Sequence, residues 1–201
     1  MNCEILAVGT ELLMGEIVNT DAQMIAQGLN EHGFNVYWQT VVGDNPDRLR
    51  AALETAKNRA DILITTGGLG PTCDDLTKVA LAEAFGKGLF FHEPSAQRIR
   101  DRFLQMERPM TENNLQQAML PEGCTVLVND WGTAPGCAFE AEGCHVIMLP
   151  GPPRECTPMF RERALPYLET LCGGVIGSRY VKIFGQGESS VEYLTRPLAD
   201  S

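Results

Sequence analysis

Three stretches of this chain combine acids, hydroxyls and closely spaced glycines in a pattern suited to phosphate chemistry. The first is Gly9-Thr10-Glu11-Leu12-Leu13-Met14-Gly15, running on to Asn19-Thr20-Asp21. The second is Thr65-Thr66-Gly67-Gly68-Leu69-Gly70-Pro71-Thr72-Cys73-Asp74-Asp75, and the third is Leu149-Pro150-Gly151-Pro152-Pro153-Arg154-Glu155. Gly132-Thr133-Ala134-Pro135-Gly136 lies between the last two. The glycines of the second stretch permit positive φ and close backbone approach, so successive N–H groups can form an anion nest where the next helix begins. No Lys follows them and the spacing is not G-x-G-x-x-G, which argues against a Walker loop and a dinucleotide fingerprint. Asp74 and Asp75 would repel a phosphate there unless a divalent cation such as Mg²⁺ or Mn²⁺, held by hard oxygen ligands, neutralised the charge. The alternative is helix capping, with Thr72 bonding the N–H three residues on and Asp75 favouring the dipole. Glu11 and Asp44 add two carboxylates; alone each is a loop acid or cap, and gathered they form a metal site. Asn19, Asn113, Asn114 and Asn129 offer amides to a sugar or base, or else serve turns.

For these groups to meet, the elements between them must share an edge. Short apolar runs ended by glycine predict strands over 4–8, 36–42 and 62–65. Between them the stripes Ala22, Ile25, Ala26, Leu29 and Leu49, Ala52, Leu53, Ala56 predict amphipathic helices, with Pro46 in the first turn of the second. Strand, helix, strand, helix, strand in succession requires right-handed crossovers and a parallel sheet with helices on both faces. In such a sheet the carboxyl ends of the strands share one rim, so the loops can converge. Further helices are predicted over 75–85, 95–106 and 112–119. Strands follow over 124–128, 136–140 and 144–149, the last two joined at Glu142-Gly143, and a final helix runs from Pro152-Pro153 to 168. After Gly173-Gly174 a strand over 180–184 and a further helix read as the start of a second domain.

Composition bounds the partners. The 201 residues are 44% hydrophobic and 21% charged, enough for one substantial core. The net charge of −10 disfavours nucleic acid and anionic membranes as partners. No run approaches a spanning helix and Met1-Asn2-Cys3-Glu4 does not open a signal peptide, so a cytoplasmic protein is expected. The seven cysteines contain no C-x-x-C, which favours reduced thiols over disulfides or a zinc ribbon. Cys144 and His145 would face opposite sides of a strand, against a zinc site shared with Cys137.

The loops resemble those of the CinA family, whose amino-terminal part is a molybdopterin-binding-like (MoCF) domain. The resemblance rests on Gly9 to Thr20; on Gly67-Gly68-Leu69-Gly70-Pro71-Thr72 with Asp74, Asp75 and Thr77; on Asn129 with Gly132-Thr133-Ala134-Pro135-Gly136; and on Leu149-Pro150-Gly151-Pro152-Pro153 with Glu155 and Met159. It implies a three-layer α/β/α domain with a mostly parallel sheet over residues 1–172, and over 173–201 the opening of a small α+β KH-like connecting domain. It also implies metal-dependent hydrolysis of the pyrophosphate of ADP-ribose to AMP and ribose 5-phosphate, with Mg²⁺, Mn²⁺ or Co²⁺ as cofactor. Two alternatives remain: pterin or molybdopterin binding and adenylyl transfer, or a non-catalytic nucleotide-sensing module associated with a nicotinamide-nucleotide amidase. By motif position Asp44 and Asp75 are the catalytic acids, and with Glu11 the metal ligands. Contacts to a small-molecule nucleotide are expected from Gly9, Thr10, Glu11 and Asn19; from Thr66, Gly67, Gly68, Gly70, Pro71 and Thr72; from Asn114, Asn129, Gly132 and Thr133; and from Pro150, Gly151 and Pro152. Self-association into a homo-oligomer is implied as well. The chain departs from the family at Gln116, where a basic residue is usual, at Asp21, where asparagine is common, and at Trp131.

Overall fold

The computed structural model describes residues 1–171 and 182–199. In chain order it contains β1 (Asn2–Val8), α1 (Thr10–Leu13), α2 (Thr20–Glu31), β2 (Asn35–Val42), α3 (Pro46–Lys57), β3 (Ile62–Thr66), α4 (Thr77–Ala84), β4 (Leu89–Phe91) and α5 (Glu93–Gln105). A 3₁₀ helix (Glu112–Ala118) follows, then β5 (Met119–Pro121), β6 (Thr125–Leu127), β7 (Gly136–Ala141), β8 (Cys144–Leu149), α6 (Pro153–Met159), a π-helical turn (Phe160–Ala164), α7 (Leu165–Glu169) and α8 (Glu188–Ala199).

Six strands form one sheet in the order β2-β1-β3-β8-β7-β6. The pairs among β2, β1, β3 and β8 are parallel, and β7 and β6 join antiparallel at one edge. Helices cover both faces, which makes the expected three-layer α/β fold. Strand alternation divides the core accordingly. Leu6 and Leu63 face a layer containing Leu49, Leu53 and Leu81, while Ile5 and Ile64 face one containing Ile25, Leu29 and Phe160. Because β1 and β3 are covered on both sides, they read as mostly apolar runs rather than alternating ones. One acid interrupts β1: fully buried Glu4 accepts hydrogen bonds from Arg59 Nε (2.7 Å), Arg59 Nη2 (2.7 Å) and Thr40 Oγ1 (2.6 Å). These bonds compensate the desolvation that an isolated buried carboxylate would suffer.

The caps set where the helices enter. Asn19 accepts from Ala22 N (3.0 Å) to begin α2, and Asn45 accepts from Arg48 N (3.0 Å) to begin α3, with Pro46 next. Several sequence expectations need correction. The helix expected from 75 starts at Thr77, and Thr72 does not cap it. Residues 112–118 form a 3₁₀ helix, and Met119 belongs to a small antiparallel pair, β4 with β5, for which Leu89–Phe91 gave too short a signal. The expected last helix is broken into α6, the π turn and α7; Pro158 and Pro166, each lacking an N–H, fall within this stretch. Cys137 and Cys144 are both buried. Cys144 packs in the core while His145 Nδ1 approaches Tyr167 Oη at 3.2 Å, on opposite faces as expected. The boundary at 172/173 and the first residues of the strand expected over 180–184 lie outside the described residues. Residues 182–184 carry no regular structure.

Candidate functional site

The carboxyl ends of β1, β2, β3 and β8 lie at one rim of the sheet, and the loops that follow them enclose a cleft of about 490 Å³. That is within the usual range for a small-molecule pocket. Of the residues expected to form the site, Gly9, Glu11, Asp44, Gly67, Gly68, Gly70, Asp75, Thr133, Pro150, Gly151 and Pro152 line it. Leu69, Asp74, Ala134, Pro153, Glu155 and Gln117 line it too.

Hydrogen bonds from the acids hold these loops. Asp44 Oδ2 accepts from Thr10 N (2.9 Å) and Thr10 Oγ1 (2.8 Å), while Asp44 N donates to Thr10 Oγ1 (3.1 Å), clipping the loop after β1 to the loop after β2. With Asn45 serving as the cap of α3, Asp44 is free for this role, and no described residue donates to its Oδ1. Asp75 folds back on its own loop: Oδ1 accepts from Gly70 N (2.8 Å), and Oδ2 from Thr72 N (2.8 Å) and Thr72 Oγ1. The capping expectation is therefore reversed, since Asp75 is the acceptor and Thr72 the donor.

The glycine turn is sterically required. Gly67 has φ +90°, and a Cβ there would lie 2.2 Å from Val8 O; at Gly68, with φ +65°, it would lie 2.1 Å from Thr77 Oγ1. The expected anion nest is smaller than the sequence suggested. Gly67 N donates to Leu149 O (3.1 Å), and the amides of Gly70 and Thr72 serve Asp75. Among the described residues nothing accepts from the N–H groups of Gly68 and Leu69, which leaves two neighbouring donors at the turn.

Other expected ligand residues serve the scaffold. Thr10 holds Asp44 without lining the cleft. Asn19 caps α2, and with Thr66 and Asp21 it lines a side recess of about 50 Å³ that shares Glu11 and Gly151 with the cleft. Pro71 and Thr72 belong to the glycine loop but line no part of the cleft, and Asn113 Nδ2 donates to Pro71 O (3.3 Å). Asn114 Oδ1 accepts from Thr111 N (3.1 Å) and Thr111 Oγ1 (2.9 Å) in a capping box. Asn129 spends its whole amide internally: Nδ2 donates to Ala134 O (2.9 Å) and Glu155 Oε2 (2.8 Å), and Oδ1 accepts from Trp131 N (2.9 Å) and Gly132 N (2.8 Å). Gly132 lies where a Cβ would come within 1.7 Å of Glu155 Oε2, so glycine lets this loop close on α6. Asn129 and Gly132 line a separate cavity of about 170 Å³ with Arg98 and Arg102. The amides of Asn19, Asn114 and Asn129 are thus turn and cap groups, the reading that loop asparagines most often have.

The cleft is electrostatically one-sided. Five carboxylates line it, on Glu11, Asp44, Asp74, Asp75 and Glu155, and no Lys, Arg or His does. Lys78 is buried outside the cleft lining, with Nζ donating to Gln116 O (2.8 Å). Burial pushes its ammonium down to about 8, partly offset by Cys137 and Asp75 nearby. Asp21, at the side recess, is pushed up from 3.8 to about 6 by burial, against a lowering from the Cys156 thiol. Among the described residues no three His, Cys, Asp or Glu side chains gather closely enough to hold a metal by themselves.

This is the architecture of a molybdopterin-binding-like domain, and the family model for a probable molybdopterin binding domain matches residues 4–170. A putative competence-damage inducible protein of Acetivibrio thermocellus is 54% identical over 200 residues, covering 100% of this chain and 48% of that protein. A CinA-like protein of Dictyoglomus turgidum is 50% identical over 201 residues, covering 100% and 49%. Among solved structures, CinA of Thermoplasma acidophilum superposes with TM-score 0.76 at 33% identity, covering 84% of this chain and 99% of that one. The chain belongs to the CinA family. A molybdopterin biosynthesis protein from Mycobacterium abscessus shares the fold, with TM-score 0.54 at 20% identity over 85% of this chain and 95% of that one. The chain spans about half the length of the curated relatives it matches. Among the described residues no helix is long and apolar enough to cross a membrane.

Proposed function

We propose that the cleft binds a nucleotide or pterin bearing a diphosphate, together with a divalent cation, as the ligand-handling module of a CinA-type protein. The observation that carries this reading is the pairing of two unspent amides at the glycine turn with five carboxylates and no basic side chain around the same cleft. The amides of Gly68 and Leu69 suit phosphate oxygens, while the surrounding acids would repel a bare diphosphate. Mg²⁺, Mn²⁺ or Co²⁺ would balance that charge and polarise the phosphorus, with Asp44 and Glu11 the better placed donors because both oxygens of Asp75 already hold its loop.

A hydrolytic reading is favoured by one feature, the Oδ1 of Asp44, which no described donor occupies although Thr10 fixes the carboxylate through Oδ2. A carboxylate so held can orient a water and take its proton as the water attacks phosphorus. With ADP-ribose, the bridging P–O bond breaks and AMP and ribose 5-phosphate leave. Pterin adenylylation shares this fold, so substrate rather than architecture separates the readings. Titrating the whole chain with ADP-ribose by calorimetry, with each metal and with EDTA, and following AMP by chromatography, tests them. Metal-dependent binding with AMP release supports hydrolysis. Metal-dependent binding without AMP for any metal supports the sensing role. No binding under any condition overturns the ADP-ribose reading and leaves the pterin alternative.

A further inference from the structure

We infer that the cavity lined by Arg98 and Arg102 is a second anion site, which takes a small phosphate-class oxyanion independently of the cleft and its cation. The cavity holds about 170 Å³, below the usual range for a drug-sized ligand, so its occupant is small. It lies between α5 and the loop 128–135, and Thr133 lines both it and the cleft. That loop separates two chemically opposite spaces: no basic side chain lines the cleft, and two arginines line the cavity.

The charges around the cavity do not cancel. Asp130, on the lining, is already matched twice, with Oδ1 accepting from Arg98 Nη2 and Oδ2 from Arg163 Nη2 (2.8 Å). Arg102, half-buried in the last turn of α5, pairs with no carboxylate among the described residues. Its one hydrogen bond is a long one from Nη2 to Trp131 O (3.5 Å), and its Nε and Nη1 donate to no described residue. The remaining acid on the lining, Asp101, is exposed, and its Oδ1 accepts from Gln97 Nε2 (2.8 Å). With Arg163 included, three guanidinium groups stand against two carboxylates. A half-buried guanidinium without a counter-ion has lost hydration that nothing replaces, and an oxyanion restores it by accepting from the planar N–H fork. The Thr133 hydroxyl, unpartnered among the described residues, adds a neutral donor on the same lining. Donors from α5 and from the loop together suit an anion with three or more acceptor oxygens, which phosphate has and a carboxylate lacks.

The test is a heteronuclear NMR titration of the whole chain with inorganic phosphate, in EDTA and at ionic strength held constant with sodium chloride. EDTA removes the cation proposed for the cleft, so the two sites are read apart. Wild type, Arg102→Gln and Arg48→Gln are compared, the last an exposed arginine on α3 that controls for general charge. The wild type should show saturable shifts confined to residues 95–105 and 128–135. Arg102→Gln should weaken binding about 10- to 100-fold. Its melting temperature should barely change, because the side chain makes only the long bond, and Arg48→Gln should bind as the wild type does. Tighter binding of methyl phosphate than of inorganic phosphate would identify a phosphate monoester as the occupant, and the reverse the free ion. Shifts that never saturate, or a loss as large in Arg48→Gln, overturn the assignment. Saturable shifts confined to residues 67–70 overturn it too, while upholding the phosphate reading of the cleft, and this wild-type map decides even where a variant fails to fold.

Discussion

Replacing Asp21 with asparagine should stabilise the protein at neutral pH and do little in acid. Asp21 is in the first turn of α2, 7% exposed, with Oδ1 unpaired. Burial raises its carboxyl from 3.8 to about 6, so between those values the folded chain binds the proton that the unfolded chain releases. Stability is therefore greatest below about 4, falls as pH rises through the window, and carries the full penalty above about 6. At 1.36 kcal/mol per pH unit the penalty is about 3 kcal/mol, an upper bound because the recess beside Asp21 has room for water. Asparagine keeps the shape and removes the charge; Glu11, on the same recess, and the Cys156 thiol, held neutral by burial, remain in both proteins. For a chain of this length Asp21→Asn should raise Tm by about 3–10 °C at pH 7.5. Thermal unfolding of both proteins at pH 7.5, 6 and 4.5 measures the difference. A gain equally large at pH 4.5, or a loss at pH 7.5, would refute the reasoning.

Arg59→Ala should cost about 3–5 kcal/mol at pH 7 in urea unfolding, because it leaves the fully buried Glu4 without its main partner. An effect under 1 kcal/mol would mean that water or Thr40 replaces the guanidinium. Asp75→Asn should loosen the glycine loop, since an amide NH₂ would face the Gly70 or Thr72 N–H; stability falls by about 1–3 kcal/mol and hydrogen exchange across residues 68–74 quickens. Unchanged exchange there, with metal affinity lost, would instead make Asp75 a metal ligand first.

The sheet was legible from the sequence because β1, β3 and β8 are covered on both faces and carry mostly apolar runs, and because Asn19 and Asn45 precede clear helical stripes. The convergence of Glu11, Asp44, Gly67 and Gly151 follows from parallel topology alone. What stayed hidden depends on side-chain direction. Composition does not tell whether the oxygens of Asp75 point at solvent or at Gly70, nor that Asn129 turns inward to Glu155 rather than outward to a ligand. That Gln117 lines the cleft was hidden for a related reason: one of two adjacent glutamines in a polar run reads as surface, and only its burial places it in the cleft wall. Gln116, where the resemblance led us to expect a basic residue, offers its backbone carbonyl to Lys78, a buried cation that does not line the cleft.

The placement of charge constrains how such a site could be occupied. If the glycine turn alone held a diphosphate, two amides would have to outweigh five surrounding carboxylates, and low dielectric makes that repulsion stronger as the cleft fills and water leaves. The acids are not surplus, however. Asp44 and Asp75 each hold a loop in position, and Glu155 anchors Asn129, so neutral residues there would ease binding only by releasing the backbone that shapes the cleft. A cation that arrives with the ligand resolves the conflict without altering the scaffold, because it needs only the lone pairs the loop bonds leave free. Ligand and metal affinity should then be coupled, each strengthening the other through a shared phosphate oxygen.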